Sequence, residues 1–83
     1  LPDILDYKNI PLIQKELNKI LINNPDAKLV FDFSNAEYMD TSALALCILY
    51  SEKMKNNFKV RNVPQKLEYV FALDAQAEKI LNL

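Results

Sequence analysis

The chain has no glycine, no histidine and a single cysteine in its 83 residues. Without glycine, neither a phosphate-cradling P-loop nor a G-x-G-x-x-G dinucleotide turn can be built. Without histidine, Ser-His-Asp and Cys-His catalysis and His-ligated zinc are excluded. Cys47 has no second thiol for an internal disulfide or a C-x-x-C site, which fits a reducing compartment. Neither sign of charge is in excess: ten Lys and Arg face eleven Asp and Glu, a formal net charge of −1. That balance speaks against a nucleic-acid partner and against a polybasic membrane patch.

What is present is ordinary globular composition, 51% hydrophobic and 25% charged. A chain of this size buries about 60–65% of its unfolded surface, which leaves little margin for a large catalytic cavity. The classes left open are a binding module, a regulatory switch, and an unusual carboxylate or metal site. The opening Leu1-Pro2-Asp3 is neither basic nor continuously apolar, so it does not read as a targeting peptide. The longest apolar run, residues 43–50, is far short of the ~20 residues a membrane span needs. The absence of an initiating Met leads us to expect an excised domain with flanking sequence missing. Residues 1–83 contain no repeat, low-complexity stretch or long linker, and read as one soluble domain expected in the cytoplasm.

Pro11 opens a helix, since proline at the first helical position forfeits no needed hydrogen bond. Ile10, Ile13, Leu17, Ile20 and Leu21 recur at helical spacing as its inward face, with Gln14, Lys15, Asn18 and Lys19 on the wet face. Asn23-Asn24-Pro25-Asp26 ends it. Residues 28–34 (KLVFDFS) form a strand whose two faces are largely apolar, as in a central strand covered on both sides. Asp32 interrupts it and reads as a structural carboxylate bonded to loop amides. A loop follows over residues 34–39. Residues 43–50 (ALALCILY) are apolar almost all round and predict a buried helix that residues 51–55 carry to the surface. Asn56-Asn57 stands in for the glycine that commonly ends a helix. Residues 58–63 (FKVRNV) alternate as a half-buried strand. Pro64 opens another helix with Leu67, Val70 and Phe71 inward. Asp74 breaks that pattern, and residues 75–83 give a short closing turn or helix with Ile80 and Leu81 packed. Residues 3–6 (DILD) supply a further strand. The alternation predicts an α/β fold: a mainly parallel sheet of three or four strands, right-handed crossovers, and helices mostly on one face.

Open α/β sheets place their sites where strand ends lead into helices. Asp40-Thr41-Ser42 is one such junction. All three are good N-cap residues, so one reading is that they simply start the helix. The other reading uses the same geometry. A hydroxyl on the first turn is exposed, and the positive end of the helix dipole would stabilise a phosphate placed there. Phosphorylation would add about −1.5 to −2 charges beside Asp40 and repel an acidic or apolar partner surface.

Residues 29–46, LVFDFSNAEYMDTSALAL, resemble the signature of STAS domains, the sulfate-transporter and anti-sigma-factor-antagonist fold. That signature is an apolar strand ending in Asp-Leu-Ser, a short loop, then Asp-Ser/Thr-Ser/Ala-Gly-Leu opening an apolar helix. Residues 58–64, ending in Asn62-Val63-Pro64, match the family's next strand and helix entry, and the resemblance extends over residues 10–83. It implies a non-catalytic module with no cofactor that binds a protein partner through Asp40, Thr41 and Ser42. In anti-sigma-factor antagonists the partner is a kinase-type anti-sigma factor, and the hydroxyl directly after the motif Asp is phosphorylated. That position is Thr41, with Ser42 the lesser candidate. In Mla-type lipid-transport ABC systems a STAS protein docks on the ATPase subunit through the same helix start. The form of residues 40–46 and of Asn62-Val63-Pro64 looks more like the transporter-associated branch. Two departures stand out: Ala43 replaces the usual Gly, filling space at the helix start, and the opening strands shrink to residues 3–6, with any last strand clipped at Leu83. Missing strands would expose a sheet edge and favour a homodimer.

Other residues carry chemistry of their own. Asp32, Glu37 and Asp40 could gather at one sheet end and hold Mg²⁺, or remain solvated and capping carboxylates. A small phosphoesterase using Asp32 and Asp40 would need that cluster, yet no assisting base for a Ser or Thr nucleophile is evident. Cys47 reads as an inert small hydrophobe. Tyr38 and Met39, just before the junction, are either core-edge packing or an apolar contact supporting the switch.

Overall fold

The computed structural model describes residues 1–81. Chain order is β1 (Ile4–Leu5), α1 (Ile10–Asn23), β2 (Leu29–Asp32), β3 (Tyr38–Met39), α2 (Thr41–Met54), β4 (Phe58–Arg61), α3 (Glu68–Phe71) and α4 (Ala75–Leu81). Four strands form among the described residues, and every pairing among them is parallel, in keeping with the α/β expectation. They make two short ladders rather than one sheet: β1 beside β3, and β2 beside β4. The Leu1 ammonium, 3.5 Å from the Asp32 carbonyl oxygen, ties the N-terminus to the end of β2. The loop expected at residues 34–39 therefore ends in a strand, because Tyr38 and Met39 lie in register with Ile4 and Leu5.

Alternation decides the faces of β2 and β4. Phe31, Phe58 and Val60 point into the core, while Val30, Lys59 and Arg61 are exposed on the opposite side. The double cover expected for β2 is thus absent, and Val30 is 43% exposed. β2 is also shorter than residues 28–34, and β4 ends at Arg61 rather than residue 63. Helix α2 packs between α1 and α4 above β4. The rings interlock edge to face: Phe31 against Phe58 at 5.1 Å and Tyr50 at 6.1 Å, and Phe33 against Phe71 at 5.6 Å between centroids. Such pairs add about 0.5–1.5 kcal/mol each beyond the burial of their area.

Helix α1 begins at Ile10 with Pro11 in its first turn. Ile13, Leu17 and Leu21 pack on the core, but Ile20 is 54% exposed and turns outward. Asn18, expected on the wet face, is instead half-buried and accepts a hydrogen bond from the Tyr50 hydroxyl at 2.7 Å. Helix α2 buries Ala43, Leu44, Leu46, Cys47 and Tyr50, yet Thr41, Ala45 and Leu49 form an exposed stripe. Its apolar run is therefore not covered all round. The helix stops at Lys55, which takes a positive φ of 52°, so the lysine and not Asn56 or Asn57 makes the reversal. Pro64 leads a 3₁₀ turn over Gln65–Leu67 before α3, rather than opening a helix directly. Ile80 is buried and Leu81 half-buried in α4. The last two residues of the expected closing helix, with the clipped strand at Leu83, lie outside the described residues.

Candidate functional site

Helix α2 starts at Thr41 because Asp40 caps it. Asp40 is in the extended region (φ −111°, ψ −175°), and its Oδ1 accepts the Ser42 backbone N–H at 2.9 Å. The Ser42 hydroxyl also donates to that oxygen. The second oxygen faces away from the helix: Oδ2 accepts the Tyr7 backbone N–H, 33 residues away in sequence, at 2.9 Å. One carboxylate thus serves both the helix and the β1–α1 turn. Partial burial by itself would raise the pKa of Asp40, but the hydrogen bonds from the Ser42 hydroxyl and the Tyr7 amide outweigh it and hold the carboxyl below its usual range.

The two hydroxyls of the junction differ. Ser42 is half-buried and its hydroxyl is bound to Asp40. Thr41 is exposed at the first helical position, and its hydroxyl has no hydrogen-bond partner among the described residues. Behind it, Ile10, Gln14, Ser42, Ala45, Leu46 and Leu49 line a shallow groove of about 240 Å³ between α1 and α2. Tyr38 is 51% exposed beside the junction, whereas Met39 is 3% exposed and belongs to the core. Of the pair, only Tyr38 is available to a partner.

Asp32 lies at the end of β2 among other partners. Its Oδ1 accepts the Ser34 N–H at 2.9 Å and the Asn62 amide at 3.3 Å, and Arg61 Nε stands 3.4 Å from Oδ2. The Ser34 bonds, first among these, lower its pKa from 3.8 to about 2. Glu37 pairs with Lys66. Asp32, Glu37 and Asp40 therefore answer to three separate sets of donors, and no group of three metal-ligating side chains gathers among the described residues. The arrangement also gives the phosphoesterase reading no paired carboxylates. Burial pushes the Cys47 thiol up to about 12, which leaves it protonated and unreactive at neutral pH.

The Tyr7–Lys8 turn beside Asp40 was not legible in the sequence. Its only signal is the β1–β3 register, which needs the fold. Among the described residues no helix is long and apolar enough to cross a membrane.

Comparison with family models matches the STAS domain over residues 2–61. The match reaches further toward the N-terminus than the resemblance read from residue 10, taking in β1, and it stops at the end of β4. Comparisons with curated proteins and with solved structures give no significant match.

Proposed function

The chain belongs to the STAS domain family, a family of protein-interaction and regulatory modules, and on that premise we propose that it acts without catalysis by presenting Thr41 to a protein partner. One observation carries this reading: the Thr41 hydroxyl is exposed and unpartnered among the described residues, on a helix start that Asp40 holds rigid. The groove containing Ala45 and Leu49 adds an apolar surface directly behind it.

The proposed partner is the ATPase subunit of a lipid-trafficking ABC transporter, engaged on its cytoplasmic side. The likeness of residues 40–46 and of Asn62-Val63-Pro64 to the transporter-associated branch supports this choice. Co-expression with the ATPase subunit is expected to yield a stable complex. Thr41→Glu places a carboxylate at the contact and is expected to weaken it about tenfold or more, a cost of about 1.4 kcal/mol per decade. Unchanged affinity of Thr41→Glu would count against the reading.

A second reading is favoured by the contrast between the two hydroxyls. As an anti-sigma-factor antagonist, the chain would be phosphorylated by a kinase-type partner holding a nucleoside triphosphate. Thr41 Oγ would form a bond to the γ-phosphorus as the bond to the nucleoside diphosphate breaks, with the hydroxyl proton passing to a base of the kinase. Ser42 is half-buried with its hydroxyl turned to Asp40, so it is the less accessible of the two to a kinase. Intact-mass measurement after incubation with kinase and ATP is expected to show one phosphate, lost in Thr41→Ala. An unmodified chain rejects this alternative.

A further inference from the structure

Helix α2 follows β3 with no connecting residue except Asp40, and this creates a problem for the β1–β3 ladder. In a parallel ladder a residue donates its N–H to one neighbour's carbonyl and accepts at its own carbonyl from the residue two further on. Asp40 keeps the first bond, its N–H donating to the Leu5 carbonyl at 3.0 Å. Its carbonyl, however, has turned into the helix and accepts the Ala43 N–H at 3.1 Å. That turn takes from the exposed Tyr7 N–H its expected ladder acceptor. The Asp40 carboxylate replaces the missing carbonyl, since Oδ2 accepts from Tyr7 at 2.9 Å. With one oxygen for each N–H, the Asp40 carboxylate caps the helix and extends the ladder together.

The extended ladder sets Tyr7 and Lys8 beside the start of α2. The turn that bears them is stiff. Asp6 Oδ1 accepts the Lys8 and Asn9 N–H groups at 3.0 and 3.2 Å, and the Asn9 side-chain amide donates to the Ile4 carbonyl at 2.9 Å. These bonds leave the Tyr7 phenol and the Lys8 ammonium facing outward. Tyr7 is 68% exposed, and the Lys8 ammonium lies 5.8 Å from its ring centroid without a carboxylate partner among the described residues. An exposed tyrosine on a backbone held by these bonds, with an adjacent unpaired ammonium, offers one partner surface an aromatic ring and a positive charge together.

We infer that the Tyr7–Lys8 turn is a second contact element of the docking surface around Thr41, fitted to a partner that offers a carboxylate beside an apolar slot, and that Asp40 is the positioning residue that holds this turn. The inference rests on the docking role of Thr41 and specifies the chemistry of the surface it meets.

The test has two arms. In the first, amide exchange is followed by NMR in the wild-type chain and in Asp40→Asn. Asparagine retains one acceptor oxygen for the Ser42 N–H but presents an NH₂ to Tyr7, so the Tyr7 amide is expected to exchange about 10- to 100-fold faster. The amides of α2 beyond its first turn should keep their protection. Unchanged Tyr7 exchange overturns the positioning role. In the second arm, affinity for the purified ATPase subunit is measured for wild type, Tyr7→Ala, Lys8→Glu and Asp40→Asn. Each variant is expected to bind about tenfold or more weakly, with an unchanged fold by circular dichroism. Equal binding by Tyr7→Ala and Lys8→Glu, alongside weakened Thr41→Glu, overturns this inference alone. Absence of any wild-type complex overturns the docking reading and this inference with it.

Discussion

A chain without glycine must use other residues wherever its backbone enters positive φ, and two positions show this: Lys55 at 52° and Asn62 at 58°. Asparagine tolerates that region, and Asn62 also donates its amide to Asp32. Lysine has no such compensation, and at ψ −117° Lys55 sits where a Cβ is crowded. Lys55→Gly is therefore expected to raise stability by about 1 kcal/mol in urea unfolding, a gain that Asn62→Gly should not share. The carboxylates set the acid limit. Asp32 titrates at about 2 in the folded chain against 3.8 when free, so its contribution is complete above pH 3.8 and disappears as pH falls through about 2. Asp40 is shifted in the same direction. Urea titrations repeated across that pH window should show a shallower decline for Asp32→Asn than for the wild type.

Between elements, the join of α1 to α2 combines apolar packing with one buried-edge hydrogen bond. Tyr50 is fully buried, and its hydroxyl donates to Asn18. Tyr50→Phe keeps the ring against Phe31 and removes only that donor, so a loss of about 1 kcal/mol is expected. A double-mutant cycle with Asn18→Ala should recover most of that loss as coupling between the two. The same join explains what the residue pattern could and could not reveal. Both long helices were legible, the first because Ile13, Leu17 and Leu21 recur with helical period and the second because residues 43–50 form an unbroken apolar run. Ile20, Ala45 and Leu49 were misplaced because an apolar side chain does not announce whether a neighbour covers it. β3 is two residues long, too short to carry a period, while β1 forms at Ile4–Leu5 within the strand expected over residues 3–6. Asp40-Thr41-Ser42 could be read as a helix start from residue type alone, whereas the Asp40–Tyr7 bond depends on a register set 33 residues apart.

At the scale of the whole molecule, the family match ends at residue 61 but the core does not. Leu67, Val70, Phe71, Ala77 and Ile80 are all buried in the same cluster as the strands and α2. Phe71 is fully buried and covers the ring of Phe33. Truncating it to alanine is expected to cost about 3–5 kcal/mol, a large share of the total of about 4–12 kcal/mol usual for a chain of this length. Cutting the chain after Pro64 is more severe, since it uncovers Phe33 and the side of α2 that faces α4. The residues matched by the family model should therefore not fold cooperatively by themselves. Near-ultraviolet circular dichroism and urea unfolding of residues 1–64 are expected to show no fixed aromatic signal and no sharp transition. A cooperative transition for that fragment would mean that α3 and α4 lie on a core already complete without them, and that Phe33 finds its cover elsewhere.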